Sequence, residues 1–504
     1  KIYWRPMSNS IRESISPSPA TRRAGDYIFT SSFYPISEDG TVVRSKSVSP
    51  YVGESEMGAQ TRSVLDQLRD ALVSGGSSLD LTLRVEVHLV DAADFYEFKL
   101  VWQEYFPDSP PARKTIVVGD QHVIPGCRLN LHAVSLASDS SFSREVINAP
   151  DVPNAMTAEH VPHGIKAGTF LFPSVFPATD FETGLAVGKR PGFPNYGSDA
   201  EMQAHYFMQN LSKVATTAGT SIDQIVKSQF YETDLLNFYD ADEVWIQYVG
   251  IPPTRSSMGC HGFTVPGALF AANTIILIPD DQHTKEETLL GIAWHPEAVR
   301  KVHFSPGLTA GDWFFTAGQV PVPDFGVHEW RGAPAGAPNY WDDIEIQTEY
   351  TMELLKNQIV ANGLTLADVI EAKVYLIHPR RDYRGFARAW ERIFSGVDPK
   401  PVVPRPTGDF EDADVDYKYS RENFYSLVER GQDAVTGILE LAKESEHPRT
   451  YEVAGQLIKV VSEVTEKLAD LQDKMKRLKE VPDHAPKNVT NALFVGSTKE
   501  LQAL

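Results

Sequence analysis

Cysteine is almost missing from this sequence. Cys127 and Cys260 are the only two in 504 residues. They fall at non-equivalent places, so no disulfide framework is expected, and a reducing, cytoplasmic setting fits best. Long apolar runs are missing as well. None approaches the ~20 residues that cross a bilayer. Residues 1–20, a polar Ser- and Pro-rich lead-in, hold no apolar stretch of a secretory signal. Positive charge is short: 47 Lys and Arg against 67 Asp and Glu leave a net charge of −20. A grip on nucleic acid through clustered cations facing phosphate is therefore not expected. No phosphate-binding loop and no Gly-x-Ser-x-Gly elbow occurs. His122, His261 and His303 show no metal-ligand spacing, so neither a metal nor a cofactor is expected.

What is present is one pattern written three times. Each copy runs through a strand ending in a small-residue turn, a long helix, a Gly-containing break, a second strand and a second helix with a tryptophan. The turns are GDYIFTSSFYP (25–35), AGTFLFPSVFP (167–177) and AGDWFFTAGQVP (310–321). The first helices cover 59–73, 202–216 and 346–360. Trp102, Trp245 and Trp390 lie 143 and 145 residues apart, so the register is kept. Such repetition decides the fold before any local signal does. Repeat one covers about 21–137 and repeat two about 160–280, with a Ser-, Asp- and Pro-rich linker (138–159) between them. A connection, 281–301, leads to repeat three, 302–405.

Within a repeat the period changes from two to 3.6. Residues 84–90 alternate, with Val85, Val87 and Leu89 on one side and Arg84, Glu86 and His88 on the other, as in a half-buried strand. Val64, Leu65, Leu68, Leu72 and Val73 form a helical stripe, with Gly75 as the stop signal. The unit is an α+β layer with helices on one face of a sheet. Repeats one and two close with further strands. In repeat three Pro399, Pro401, Pro404 and Pro406 forbid a paired central strand, so its sheet is expected to lack the final strands.

One residue type recurs where chemistry could sit. Arg113 opens the strand that follows the Trp102 helix, Arg255 does so after Trp245, and Lys400 stands at that place in repeat three. A guanidinium at a strand start beside a groove between units can clamp a carboxylate through two parallel hydrogen bonds. The plainer reading of a single arginine is a solvated surface group; recurrence points to a ligand.

The string TAGQVP, the helix opening EIQTEYTMELLKN, the stretch GLTLADVIEAKVYLIHPRRDYRGFARAWERIF and the PPAR ending at Arg113 resemble the RidA/YjgF enamine/imine deaminase family. The resemblance covers about 21–400. It implies a chorismate-mutase-like α+β fold, with the three units joined as a pseudo-trimer that has clefts between its members. It also implies hydrolysis of a small, carboxylate-bearing enamine or imine. An arginine of the family holds the carboxylate, and a glutamate on the last strand positions water. The arginine carries over to Arg113 and Arg255, with Lys400 in the third unit. Tyr34, Phe176 and Gln319, which follow the turns, would bind substrate beside them.

The glutamate does not carry over. Asn130 and His132 occupy the two acidic positions in repeat one, and Ala271 or Ala272 with Asn273 those in repeat two. Alanine cannot orient water, and asparagine cannot accept its proton. His132, which titrates near neutrality, is the candidate replacement acid/base, with Asn130 beside it; a satisfied strand histidine is the plainer alternative. Two functions stay open, a RidA-like deaminase and a non-catalytic small-molecule-binding pseudo-trimer.

The last segment differs in kind. Leu457, Val461, Val464, Leu468, Leu471, Met475 and Leu478 alternate spacings of four and three, as in a coiled-coil seam. Pro448 separates this helix from an earlier one, so an antiparallel hairpin is expected over 420–480. With the NALFVGSTKEL that follows, residues 410–504 resemble the small terminase subunit of myophages. That resemblance implies self-assembly and a large terminase subunit as partner in viral genome packaging. Such a fusion is natural, engineered or a joining of two genes, and the unfinished third repeat favours the last two.

Overall fold

A computed structural model of the chain describes residues 18–46, 53–119, 122–153, 156, 159–175, 177–180, 184–186, 197–292, 303–322, 343–403 and Lys459. The chain divides into two compact units, Lys1–Asp409 and Phe410–Leu504. The hairpin expected over 420–480, and with it the terminase resemblance, lies outside the described residues.

In repeat one a hairpin, β1 (Thr21–Ala24) and β2 (Tyr27–Thr30), leads to α1 (Glu56–Ser74) and β3 (Thr82–Leu89). Next come α2 (Phe95–Tyr105), β4 (Ala112–Val117) and β5 (Leu129–Leu136). The sheet order is β1-β2-β5-β3-β4, with β3 and β4 parallel across α2. Three residues of the segment read as linker form β6 (Glu145–Ile147), which pairs with the first strand of repeat two. That repeat holds β7 (Gly164–Ala167), β8 (Phe170–Pro173), the short pair β9 (Thr179–Asp180) and β10 (Gly184–Leu185), and α3 (Asp199–Thr217). It continues through β11 (Ile225–Glu232), α4 (Phe238–Tyr248), β12 (Thr254–Gly259) and β13 (Phe270–Leu277). Its order, β12-β11-β13-β8-β7-β6, is that of repeat one with an edge strand added. The connection supplies β14 (Lys285–Thr288), which pairs with β15 (Gly307–Ala310); β16 (Trp313–Thr316), α5 (Asp343–Ala361) and α6 (Pro379–Ile393) follow.

Local sequence explains the repetition. Each hairpin turns on a glycine with positive φ, 57° at Gly25, 55° at Gly168 and 64° at Gly311, where a Cβ is strained. Ser55 and Ser198 cap α1 and α3 by accepting from the amides of Gly58 and Glu201, at 2.9 and 3.1 Å. Each such cap is worth about 1 kcal/mol. Trp102, Trp245 and Trp390 are all buried, with Phe106, Phe230 and Phe394 rings 4.5, 4.7 and 4.3 Å away. Burying a large apolar side chain contributes roughly 1.5–3 kcal/mol. Three equivalent anchors therefore fix the second helix of each repeat to its layer.

The alternation in β3 is real, but both of its faces are buried. Arg84, Glu86 and His88 are 1%, 2% and 0% exposed. Their face meets the other repeats, which bring the equivalent side chains Gln229, Tyr231, Lys373 and Tyr375 to the same junction. The expected half-buried strand holds for an isolated unit, not for three packed together.

Repeat three is unfinished among the described residues. Its counterpart of β3, residues 369–376, carries one bridge, Glu371 to Val402, and no strand lies between it and β16. The consequence is exposure: β3 is buried throughout, whereas every residue of 369–376 is only partly buried. The three repeats also dock in order. The Val175 amide donates to the Arg113 carbonyl at 2.9 Å, the Gly318 amide to the Arg255 carbonyl at 2.8 Å, and the Val403 amide to Ser31 Oγ at 3.2 Å. Among the described residues no helix is long and apolar enough to cross a membrane.

Candidate functional site

Arg113 lies on β4 at the seam with repeat two. Its amide donates to Ser174 Oγ at 3.1 Å, which fixes the strand start against the neighbouring turn. The guanidinium is 1% exposed and sits over the rings of Phe95, Phe98 and Trp102 at 5.0–5.5 Å. Nε donates to Thr115 Oγ1 at 3.1 Å. Nη2 donates to the Glu159 carbonyl at 3.1 Å and lies 3.3 Å from its carboxylate. Nη1 has no partner among the described residues. Burial lowers the Arg113 pKa to about 10, which leaves it a cation at neutral pH. Burial raises the pKa of Glu159, and Arg113 and Lys99 oppose that rise. A carboxylate thus already occupies the arginine of the first seam, supplied by the strap that precedes repeat two.

Arg255 holds the same register on β12. Its guanidinium lies over Phe230, Phe238 and Phe304 at 4.7, 5.0 and 5.3 Å. Here the ion pair comes from Asp242 on α4, and the second oxygen of Asp242 meets His303 Nδ1. The His303 side chain is 39% exposed, so this chain of groups runs from the buried arginine to the surface. Glu232 ends β11 nearby. It is 0% exposed, and neither carboxyl oxygen has a partner among the described residues. Burial pushes its pKa up to about 8, against Arg255 and with Asp242 and Asp234.

Lys400 does not hold the third arginine position. Glu371 bridges Val402 as Arg84 pairs with Ala112 and Lys227 with Thr254, which places Val403 level with Arg113 and Arg255. Counting from the tryptophan misses this because the intervening loop is longer in repeat three. Val403 is 1% exposed and apolar, and can clamp no carboxylate. Tyr34 is buried in a small cluster with Ile36 and Cys127, its ring edge-on to His122. Gln319 is half-buried next to Gly318, on the turn that docks at Arg255. Phe176 lies outside the described residues.

Asn130 and His132 lie elsewhere. Arg113 pairs with Val85, whereas His132 pairs with Glu86, so the two project from opposite faces of the sheet. The pair belongs to the junction of the three repeats. Asn130 Oδ1 is 2.7 Å from His88 Nδ1, and His132 Nε2 is 3.2 Å from Glu86 Oε2. Lys114 Nζ donates to Glu86 at 2.8 Å and to Tyr231 OH at 2.8 Å, and Lys373 Nζ donates to Glu86 at 2.5 Å. Asn273 Nδ2 donates to Glu86 at 3.0 Å. Burial opposes the Glu86 charge, yet Lys114, Lys373 and His132 outweigh it and hold the carboxyl well below its usual range. Burial lowers the His132 pKa. Its Nε2 meets only the Glu86 carboxylate, and Nδ1 is buried with no hydrogen-bond partner among the described residues, so His132 belongs to this ion cluster without being a fully satisfied strand histidine.

The residues that sequence reading missed are Glu159, Glu232 and the ties of Asp242 and His303. Glu232 had a signal: the same register is Leu89 in repeat one and Leu376 in repeat three. No group of His, Cys, Asp and Glu suited to a metal occurs among the described residues.

The profile of the family described as Endoribonuclease L-PSP matches residues 18–134, 186–275 and 296–404. A 3-aminoacrylate deaminase, RutC, of Acinetobacter baylyi is 36% identical over 102 residues, 20% of this chain and 72% of that protein. A RutC family protein of Pyrococcus horikoshii is 31% identical over 105 residues, 21% of this chain and 75% of its own. Among solved structures, E. coli TdcF with bound serine is similar at 23% identity and a TM-score of 0.22, covering 27% of this chain and 99% of TdcF.

Proposed function

The chain belongs to the Endoribonuclease L-PSP family, and from that premise we propose that it is a RidA-like hydrolase of small carboxylate-bearing enamines or imines. The observation that carries this reading is the pair Arg113 and Arg255. They stand at one register of two repeated strands, each under a cage of aromatic rings at a seam with the next repeat. In this reading the three repeats form a pseudo-trimer inside one chain, and two of its three seams keep an anchor for a carboxylate. The substrate carboxylate takes the place of Glu159 or Asp242 on the guanidinium. The surrounding rings keep water from the ion pair, which strengthens it. The similarity to a protein named for deaminating 3-aminoacrylate, itself an enamine with a carboxylate, supports this substrate class. A ribonuclease reading is weaker, because the net charge is −20 and both arginines are covered.

The direct experiment supplies 2-aminoacrylate generated in place and follows release of keto acid and ammonia by the full chain. Arg113→Ala and Arg255→Ala are the controls, and loss of a buried anchor is expected to lower kcat/KM about 100-fold at the seam that works. Carboxylate binding in calorimetry without turnover leaves the other reading, a non-catalytic binder. One observation favours that reading at the first seam: Asn130 and His132 face away from Arg113. We propose the tail, 410–504, as a separate assembly segment. Light scattering on the full chain and on a chain ending at 405 tests that assignment.

A further inference from the structure

Glu232 is out of place as a structural residue. The same register holds leucine in both other repeats, Leu89 and Leu376, and a leucine there joins the apolar layer under the helices. Glu232 instead puts a carboxyl on the strand face of Phe230, in register with Phe270, with no hydrogen-bond partner among the described residues. A polar group buried without a partner costs about 1–3 kcal/mol.

Position gives it a use. Arg255 pairs with Ser228, and Ser228, Phe230 and Glu232 alternate to one face of β11, so Arg255 and Glu232 project to the same side of the sheet. Phe230 lies between them, with its ring 4.7 Å from the guanidinium carbon. The charged groups that reach Glu232 are Arg255 on β12, Asp242 on α4 and Asp234 in the loop after β11. Asp242 continues to the partly exposed His303, the side from which, in the proposal that follows, a ligand enters.

We propose that Glu232 is the proton-transfer residue of the seam between repeats two and three, acting on an enamine or imine whose carboxylate is held by Arg255. This rests on the hydrolase reading above. In 2-aminoacrylate the neutral Glu232 gives its proton to C3: the C=C pair forms the new C–H bond, and the nitrogen lone pair forms C=N⁺. Water then attacks C2, the C=N pair returns to nitrogen, and the Glu232 carboxylate takes one proton from the water. The C–N bond breaks, ammonia leaves with the proton of the new hydroxyl, and the carbonyl remains. Enamine and water become keto acid and ammonia, and Glu232 ends as it began. A buried carboxyl pushed up to about 8 is in the acid form at neutral pH that the first step needs.

The test uses the full chain with 2-aminoacrylate and two variants. E232Q keeps the shape and removes the proton; E232L installs the residue of the other repeats and is expected to fold at least as well. Both are expected to lower kcat about 100-fold or more with KM little changed, and E232Q to remove the pH-dependent limb of the profile. Infrared difference spectra against E232Q are expected to show a protonated carboxyl at neutral pH. Wild-type turnover that survives in E232L overturns the proposal and leaves the hydrolase reading standing. Absence of turnover in the wild type overturns both.

Discussion

The two arginine seams are built on one scaffold and charged in opposite ways. At the first, the helix position before the tryptophan is Lys99 and the strap of the next repeat brings Glu159 to Arg113. At the second, the helix position is Asp242, which holds Arg255, and the strap brings His303. The carboxylate has moved from strap to helix. The first seam is thereby closed by a segment of neighbouring chain. The second is closed by a side chain of its own helix and opens through a histidine to the surface. Among the described residues, only the second has a carboxyl left over, Glu232. A repeated chain can thus keep one anchor and vary what surrounds it, so equal register does not mean equal chemistry.

The largest expected effects break each seam outright. Arg113→Ala and Arg255→Ala each leave a buried carboxylate without its cation, which typically costs about 3–5 kcal/mol. Arg255→Ala is expected to cost less, because Asp242 keeps His303 while Glu159 loses its ion-pair partner. Urea unfolding of both variants checks the order. Adding Glu159→Ala to Arg113→Ala should recover part of the loss, as removal of both partners does when a buried pair is the cause.

The second effect separates the seams by pH. Glu232 has its folded pKa raised to about 8, above the value of an unfolded glutamate. The native state therefore binds this proton more tightly, and the associated stability is full below about pH 4.5 and lost as pH rises through 8. Its slope approaches about 1.4 kcal/mol per pH unit within that window. Comparison of the wild type with Glu232→Gln by denaturant titration at several pH values should isolate it, and an unchanged slope would show that Glu232 is already ionised.

Third comes Glu232→Leu at neutral pH. Replacing an unsatisfied buried carboxyl with the leucine of the sister repeats should stabilise the fold by about 1–3 kcal/mol. A thermal melt reads the sign. Destabilisation would mean that Glu232 has a structural partner and that the contrast between the seams is misdrawn.

Much of this architecture was legible in the sequence, for identifiable reasons. Alternation in 84–90 and the stripe from Val64 to Leu72 report local periods, and β3 and α1 follow them. The three glycine turns and three tryptophans report repetition, whereas the prolines after Trp390 do not prevent Val402 from pairing with residues 370–372. What periodicity cannot report is what covers the second face of a strand. Alternation alone turns Glu86 and His88 toward water, but the other repeats bury them. Gly75, read as the stop signal, is the residue that caps the C-terminus of α1, and Gly76 after it takes the left-handed conformation with φ 83°. The site was harder. Register picks out Arg113 and Arg255, whereas counting along a loop of different length puts Lys400 where Val403 stands. The resemblance implies that His132 and Asn130 work beside Arg113, and strand pairing sets them on the other face. Glu159 approaches from a segment far in sequence, which no spacing rule predicts.

The smallest expected effect tests the open end of the second seam. His303 is partly exposed and bonds a carboxylate that already has Arg255, so His303→Ala should cost within about 1 kcal/mol, as partly solvated pairs do. Its counterpart in repeat two, His160, ties the layers instead: its ring nitrogen meets the Phe106 carbonyl at 2.7 Å, and its own carbonyl accepts from Trp102 Nε1 at 3.1 Å. His160→Ala removes the first of those bonds from inside the seam and should cost more, about 1–2 kcal/mol. Chemical denaturation of the two variants under one condition measures the difference. Equal losses would make His303 a structural tie like His160 and close the route by which a ligand is proposed to reach Arg255. A larger loss at His160 with a raised KM at His303→Ala would mark the second strap as the entrance.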